Sequence, residues 1–194
     1  MNCIRYYHRH QALFLDRDGV INADYGYVYR ADQVCFIEGI FELCRHAHSL
    51  GYLIIVVTNQ AGIGRGYYTQ SDFEKLMNWM KAVFVKEGCP ITDVYWCPNH
   101  PTAGTGKYKR DSFWRKPNPG MILAAAQKYK LDLAHSVLIG DKVSDISAGL
   151  SAGIHCNLLY CNDSESRLIR QSLSINSINK ITDAKTYLDE YVYT

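Results

Sequence analysis

Asp16 and Asp18 stand one residue apart in the run Phe14-Leu15-Asp16-Arg17-Asp18-Gly19, directly after an apolar stretch. Carboxylates at i and i+2 just past a strand point the same way, and a glycine at position 19 lets the backbone turn sharply beneath them. Like charges that close repel, so the pair suits a divalent cation between them, or one carboxyl kept protonated. A D-x-D-G turn alone is also compatible with a plain surface loop. What separates the two readings lies further along the chain.

The elements that must carry these residues are legible in the hydropathy. Apolar runs at 12–15, 53–57, 93–96, 137–139 and 154–159 read as buried strands, and 41–50, 71–86, 120–130 and 143–152 have helical periodicity. Strands alternating with helices predict an α/β fold, a parallel sheet with helices on both faces, whose ligands sit beyond the carboxyl ends of the strands. Asp16 and Asp18 then end the first strand, Thr58 and Asn59 the second, and Gly140-Asp141-Lys142 the fourth. Three separated polar clusters converge on one edge.

Composition sets the bounds. A chain of 194 residues, 47% hydrophobic and 21% charged, can bury one full core and is short for two, which predicts a single domain over 1–194. Its seven cysteines are odd in number and lack framework spacing, and no basic N-terminal segment precedes a long apolar run, which predicts a cytoplasmic location. No apolar stretch nears the roughly 18 residues of a membrane span, and a formal charge of +2 is too weak to imply nucleic acid. Residues 99–119 form a long loop with basic side chains and prolines, a kind that is usually functional in a compact domain. The polar stretch from 162 leads to an expected edge strand at 173–178 and a closing amphipathic helix at 182–191.

Asp16-Arg17-Asp18-Gly19, Thr58-Asn59-Gln60, Arg115-Lys116-Pro117 and Gly140-Asp141-Lys142 with Asp145 resemble, in order and spacing, the four motifs of the haloacid dehalogenase (HAD) superfamily of phosphatases. More narrowly, residues 22–28 (NADYGYV), 58–66 (TNQAGIGRG) and 115–121 (RKPNPGM) resemble the heptose 1,7-bisphosphate phosphatases within it. The histidinol-phosphate phosphatases lack an R-G-[YF] after the second motif, so Arg65-Gly66-Tyr67 favours the heptose family. The resemblance covers about residues 11–160. It implies a three-layer Rossmann-like HAD fold with no large cap, so loops 22–34 and 98–118 must shield the site and read the substrate.

A phosphate monoester is inert, and its catalyst must align an attacking oxygen, offset charge on the phosphoryl oxygens and protonate the leaving alkoxide. With the resemblance as support, Asp16 is the expected nucleophile and Asp18 the general acid and then base. Thr58 and Lys116 are the phosphoryl clamps. Mg2+ is expected on the Asp16 carboxylate, the Asp18 carbonyl and Asp141, with Asp145 orienting neighbours. Asp141 could instead be only the N-cap of the following helix. The family resemblance further implies substrate contacts from Asp24, Tyr25, Gly26, Tyr27, Asn59, Gln60, Ala61, Arg115 and Lys142. The forked guanidinium of Arg115 suits a sugar hydroxyl or a distal phosphate.

One departure matters. Related enzymes carry a zinc-binding C-x-H and a later C-x-C before R-K-P, where this chain has Cys97, Asn99, Ser112 and Trp114, with His100 one residue beyond the expected histidine. Two ligands cannot close a structural zinc site, so zinc is not expected. Either packing by Trp96, Tyr108, Phe113 and Trp114 as an apolar substitute or a second chain orders the loop, or the substrate preference has moved.

The pairs Tyr6-Tyr7 and Tyr67-Tyr68 read as ordinary core and rim residues, His8-Arg9-His10 as an exposed basic terminus, and no cysteine has an evident base beside it. The reading is a phosphatase of a small phosphorylated sugar, with no nucleic-acid or membrane partner and a monomer favoured. The 7-phosphate of heptose 1,7-bisphosphate is the expected substrate, in precursor synthesis for bacterial surface polysaccharide. Histidinol phosphate, another small phosphomonoester, and a regulatory phosphate-binding protein of low activity are the alternatives.

Overall fold

The computed structural model describes residues 10–161 and 176–191. The Tyr6-Tyr7 pair, His8, Arg9 and most of the polar stretch after 161 lie outside them. Six parallel strands form one sheet in the order β3-β2-β1-β4-β5-β6: β1 (Ala12–Leu15), β2 (Leu53–Asn59), β3 (Ile91–Cys97), β4 (Val137–Gly140), β5 (Cys156–Tyr160) and β6 (Ser177–Ile178). This is the order of a doubly wound sheet, with β1 central between β2 and β4.

The side chains of β1 alternate between two cores, as a sheet covered on both faces requires. Leu13 and Leu15 join Ile54, Val56, Val137 and Ile139 on one face, under α1 (Ile40–Ser49), α3 (Gln70–Lys86) and the last helix, α6 (Ala184–Tyr191). Ala12 and Phe14 join Ile55, Val57 and Leu138 on the other, under α4 (Gly120–Tyr129) and α5 (Val143–Ala152). No separate cap domain interrupts the chain among the described residues. The crossover from β1 to α1 carries only a loop with a 3-10 turn at Ala31–Gln33.

Boundaries differ from the sequence reading where local chemistry decides them. β2 runs on through Thr58 and Asn59 because they pair with Trp96 and Cys97 of β3. β5 starts at Cys156, not 154, since the Ile154 N–H donates to the Gly149 carbonyl and closes α5 instead. α3 begins at Gln70 because the Thr69 hydroxyl accepts from the Asp72 amide while the Asp72 carboxylate accepts from the Thr69 amide, a reciprocal N-cap. The periodicity missed the five-residue helix α2 (Ala61–Arg65), which is too short to show a repeat. The expected strand at 173–178 is seen only as Ser177–Ile178, residues 173–175 being outside the described part.

The loop 99–119 is corrected in one respect. Phe113 and Trp114 are 61% and 43% exposed, so they do not form an apolar substitute for a metal, whereas Tyr108 and Trp96 do pack against the core. Hydrogen bonds hold the loop. The Thr105 amide and hydroxyl both donate to the Gly64 carbonyl, the His100 amide donates to Tyr108, and Asn118 donates to Ser112. His100 Nδ1 accepts from the Ala103 amide at 3.0 Å, which ties the imidazole to its own loop.

Candidate active site

The carboxyl ends of β1, β2 and β4 open onto a cavity of about 610 Å³. Asp16 follows directly on β1 and is 7% exposed, with its Oδ1 accepting from the Arg17 amide at 2.7 Å. Gly19 turns the chain away at φ +88°, and a Cβ there would stand 2.3 Å from Asp141 Oδ2. Only glycine lets the β1 turn and the Asp141 carboxylate share this space.

Lys116 is the hub. Its ammonium, 2% exposed, sits 3.0 Å from Asp16 Oδ2 and 2.7 Å from Asp145 Oδ1 and donates to the Val57 carbonyl at 2.8 Å. Burial works against its charge, but Asp145 and Asp16 outweigh it and raise the Lys116 pKa. Burial lifts the Asp16 carboxyl, with Asp145 adding to the rise and Lys116 opposing it. A buried cation against two carboxylates leaves the centre net negative.

A third carboxylate makes the centre fit a metal. Oxygens of Asp16, Asp141 and Asp145 lie within 4.8 Å of one another, and Asp141 Oδ1 is buried without a hydrogen-bond partner. Burial and then the Asp16 charge push the Asp141 carboxyl up to about 7, with Lys142 opposing. Three clustered hard oxygens with an orphaned lone pair suit Mg2+, which favours oxygen ligands. Asp145 therefore belongs to the cluster besides holding Lys116 and accepting from the Lys142 amide at 3.0 Å. The N-cap of α5 is Lys142, so Asp141 is not the capping residue.

Asp18 points elsewhere. Its carboxylate accepts from Arg17 Nε at 3.0 Å and Nη2 at 2.6 Å, from Asn22 at 3.1 Å and from Gln60 at 3.2 Å. Arg17 is itself buried, donates to the Val28 carbonyl at 2.7 Å and lies over the Phe73 ring. Gln60 also donates to the Thr58 hydroxyl at 2.8 Å, and its oxygen accepts from the buried Tyr68 hydroxyl. The chain Tyr68, Gln60, Thr58 and Asp18 ties the Thr58 hydroxyl and the Asp18 carboxylate together through one amide.

Of the residues singled out from sequence, Asp16, Asp18, Thr58 and Lys116 line the cavity, as do Asn59, Gln60, Ala61, Arg115 and Lys142. Asp24, Gly26 and Tyr27 line it from the 22–34 loop, with Asp24 paired to Lys142 at 3.1 Å. Arg115 is held by donating to the Asn99 carbonyl at 3.0 Å. Tyr25 is 71% exposed and is not among the residues lining the cavity, next to the left-handed pair Gly26 and Tyr27. Asp141 lies in the carboxylate cluster behind the lining. Sequence reasoning gave no role to Arg17; Tyr68 packs in the core as read, and in addition lines the cavity and anchors Gln60 through its hydroxyl. The position of Arg17 inside the D-x-D run was the available signal for it.

A doubly wound parallel sheet with an aspartate at the end of its central strand, a lysine beside it and carboxylates at the neighbouring strand end defines a hydrolase of the HAD superfamily. The HAD-hydrolase-like family model matches residues 113–173. The chain belongs to the D-glycero-D-manno-heptose 1,7-bisphosphate 7-phosphatase family: it is 59% identical over 160 residues to the Burkholderia mallei D-glycero-alpha-D-manno-heptose-1,7-bisphosphate 7-phosphatase, covering 82% of this chain and 85% of that protein. It is 40% identical to the beta-named enzyme of Vibrio cholerae, covering 91% and 95%. The fold is also that of the D,D-heptose 1,7-bisphosphate phosphatase of B. bronchiseptica, solved with magnesium and phosphate: TM-score 0.78, 23% identity, covering 93% of this chain and 98% of that one.

Proposed function

We propose that this chain hydrolyses the 7-phosphate of D-glycero-D-manno-heptose 1,7-bisphosphate, preferring the α anomer, through an aspartyl-phosphate on Asp16. The observation that carries the reaction is the buried contact of Asp16 with Lys116 in the cavity lining, 3.0 Å apart. The ammonium keeps the carboxylate oriented and stands where charge on the phosphoryl oxygens must be offset. The anomer rests on the 59% relative bearing the alpha name while those at 38–43% bear the beta name.

In the first half-reaction an Asp16 oxygen bonds to phosphorus and the bond from phosphorus to the sugar oxygen breaks. Asp18 gives its proton to the departing alkoxide, and the Thr58 hydroxyl donates to a phosphoryl oxygen. In the second, Asp18 takes a proton from water, whose oxygen displaces Asp16 and releases inorganic phosphate. Asp16, Asp141 and the Asp18 carbonyl would hold Mg2+, with Asp145 close by. Bound there, the ion neutralises phosphoryl charge. Asp24, Tyr27, Arg115 and Lys142 face the sugar and its second phosphate.

A cytoplasmic setting is part of the proposal, supported by six described cysteines that are all free thiols. Among the described residues no helix is long and apolar enough to cross a membrane.

The test is phosphate release with Mg2+ from both heptose bisphosphate anomers, histidinol phosphate and an aryl phosphate. The expected result is a kcat/KM for the α anomer at least about 100-fold above the non-heptose substrates, roughly 2.7 kcal/mol of discrimination. Comparable rates on all four would sink the substrate and leave the chemistry standing.

A further inference from the structure

Arg65, at the C-terminal end of α2, is not among the residues lining the cavity and has no role in the chemistry above. Among the described residues it makes no ion pair. Its Nη1 donates to the Tyr27 hydroxyl at 2.7 Å, its guanidinium lies over the Tyr27 ring with Cζ 5.8 Å from the centroid, and its Nε is buried without a partner. Tyr27 is held from another side by Tyr67, edge-on with ring centroids 4.6 Å apart.

Three further facts make this contact more than surface packing. Tyr27 has φ +54°, a left-handed conformation that a bulky side chain adopts only when its surroundings impose it. Its neighbour in the fold is Gly62, where a Cβ would come 2.8 Å from Tyr27 Cδ1 and 2.2 Å from Tyr68 Cε1, so α2 is hollowed to let both rings lie on it. Tyr27 also lines the cavity.

The chemistry follows from the direction of the hydrogen bond. A phenol oxygen that accepts from a guanidinium has its own O–H polarised and becomes a stronger donor. Among the described residues the Tyr27 hydroxyl has no protein acceptor, so its proton is available to an oxygen in the cavity. Lysine would not replace the arginine, because a point ammonium cannot both lie flat on the ring and reach around to its hydroxyl.

We infer that Arg65 is a positioning residue for substrate recognition, which fixes the strained Tyr27 as one wall of the cavity and turns its hydroxyl into a charge-assisted donor to a substrate oxygen. This rests on the reading of the cavity as the sugar-phosphate site. It adds a residue that acts on the substrate only through another.

The test is a double-mutant cycle on KM and kcat for heptose 1,7-bisphosphate, with Arg65→Met, Tyr27→Phe and the double variant. Arg65→Met keeps the aliphatic stem, so it should raise KM about tenfold and lower kcat less than about threefold, as should Tyr27→Phe. The double variant should be no worse than Tyr27→Phe alone, because the arginine works through the phenol. Arg65→Lys should recover less than half of the loss. Additive losses, or an effect of Arg65→Met confined to kcat, would overturn the inference.

Amide hydrogen exchange over residues 22–34 separates this from the substrate reading. Arg65→Met should speed exchange around Tyr27 whatever the enzyme turns over, and unchanged exchange overturns the clamp. Wild-type protein that ignores heptose bisphosphate, with faster exchange in Arg65→Met, would sink the substrate assignment and retain the clamp.

Discussion

Asn59 and Lys116 exchange two hydrogen bonds: the Asn59 side-chain amide donates to the Lys116 carbonyl at 3.0 Å, and the Lys116 backbone N–H donates to the Asn59 side-chain oxygen at 3.1 Å. The last residue of β2 thereby grips the end of a long loop at the residue whose ammonium must reach Asp16. The rigid sheet sets the position of a loop lysine.

Replacing Asn59 by Ala should therefore cost rate more than stability. Losing two hydrogen bonds that are partly exposed lowers stability by about 1–2 kcal/mol. A shift of Lys116 by a fraction of an ångström lowers kcat by roughly 100-fold. Urea denaturation and steady-state kinetics on the same preparation check both, and a kcat within a factor of a few of wild type would contradict the gripping role.

Lys116→Met removes the ammonium that lies between Asp16 and Asp145. Both carboxylates then remain buried without their counter-ion, which should cost about 3–5 kcal/mol at neutral pH. Turnover should drop by at least about 1,000-fold. Denaturant titration at pH 7 is the deciding experiment, and a variant as stable as wild type would mean that the centre is far wetter than its burial indicates.

Chelation should abolish turnover, and Mg2+ should restore it. Because the cluster of Asp16, Asp141 and Asp145 concentrates negative charge, Mg2+ should also raise the melting temperature by several degrees, about 2.7 kcal/mol at 100 times its dissociation constant. Asp141→Asn should lose most of that increment, and melting curves with and without Mg2+ measure it directly. Metal analysis of protein purified without chelator should find no stoichiometric zinc.

Asp93, on β3, gives a pH-dependent contribution away from the site. Burial pushes its carboxyl up, but Lys128 at 2.8 Å, the Val94 amide and the Tyr129 hydroxyl outweigh it and hold it below the usual range. A depressed folded value contributes stability that is present above the unfolded pKa of about 4 and is lost as pH falls through the folded value. The Lys128 side chain is 59% exposed, so solvent screening limits the contribution to less than about 1 kcal/mol. Asp93→Asn should destabilise the protein at pH 7 and have almost no effect near pH 2, which denaturation at the two pH values compares.

Much of this was readable in the chain because the strands are continuous apolar runs and the chemistry sits where they end. Asp16, Thr58 and Asp141 are each fixed by strand register, a local property that alternation and length disclose. Tyr25 and Tyr27 were not separable in the same way. A left-handed turn at Gly26 and Tyr27 decides which ring faces the cavity, and no periodicity encodes that turn. Phe113 and Trp114 misled for a related reason: bulk suggested burial, but the loop closes through backbone carbonyls that any residue offers. Arg17 and Tyr68 reach the cavity through hydrogen bonds to Asp18 and Gln60, contacts that the order of residues along the chain does not display.

The central position of β1 bears on how the molecule comes into being. Asp16 and Asp141 meet only when β1 pairs with β4, a union between segments so far apart that the Ala12 amide donates to a serine 124 residues downstream. Closing so long a span of chain is entropically slow, while β1 with β2 is a much shorter connection. A nascent or partly refolded chain can therefore carry the first two strands in register, with Asp16, Thr58 and Asn59 side by side, and still have no carboxylate cluster. Recovery of turnover during refolding then reports the last long-range pairing of the sheet rather than the first.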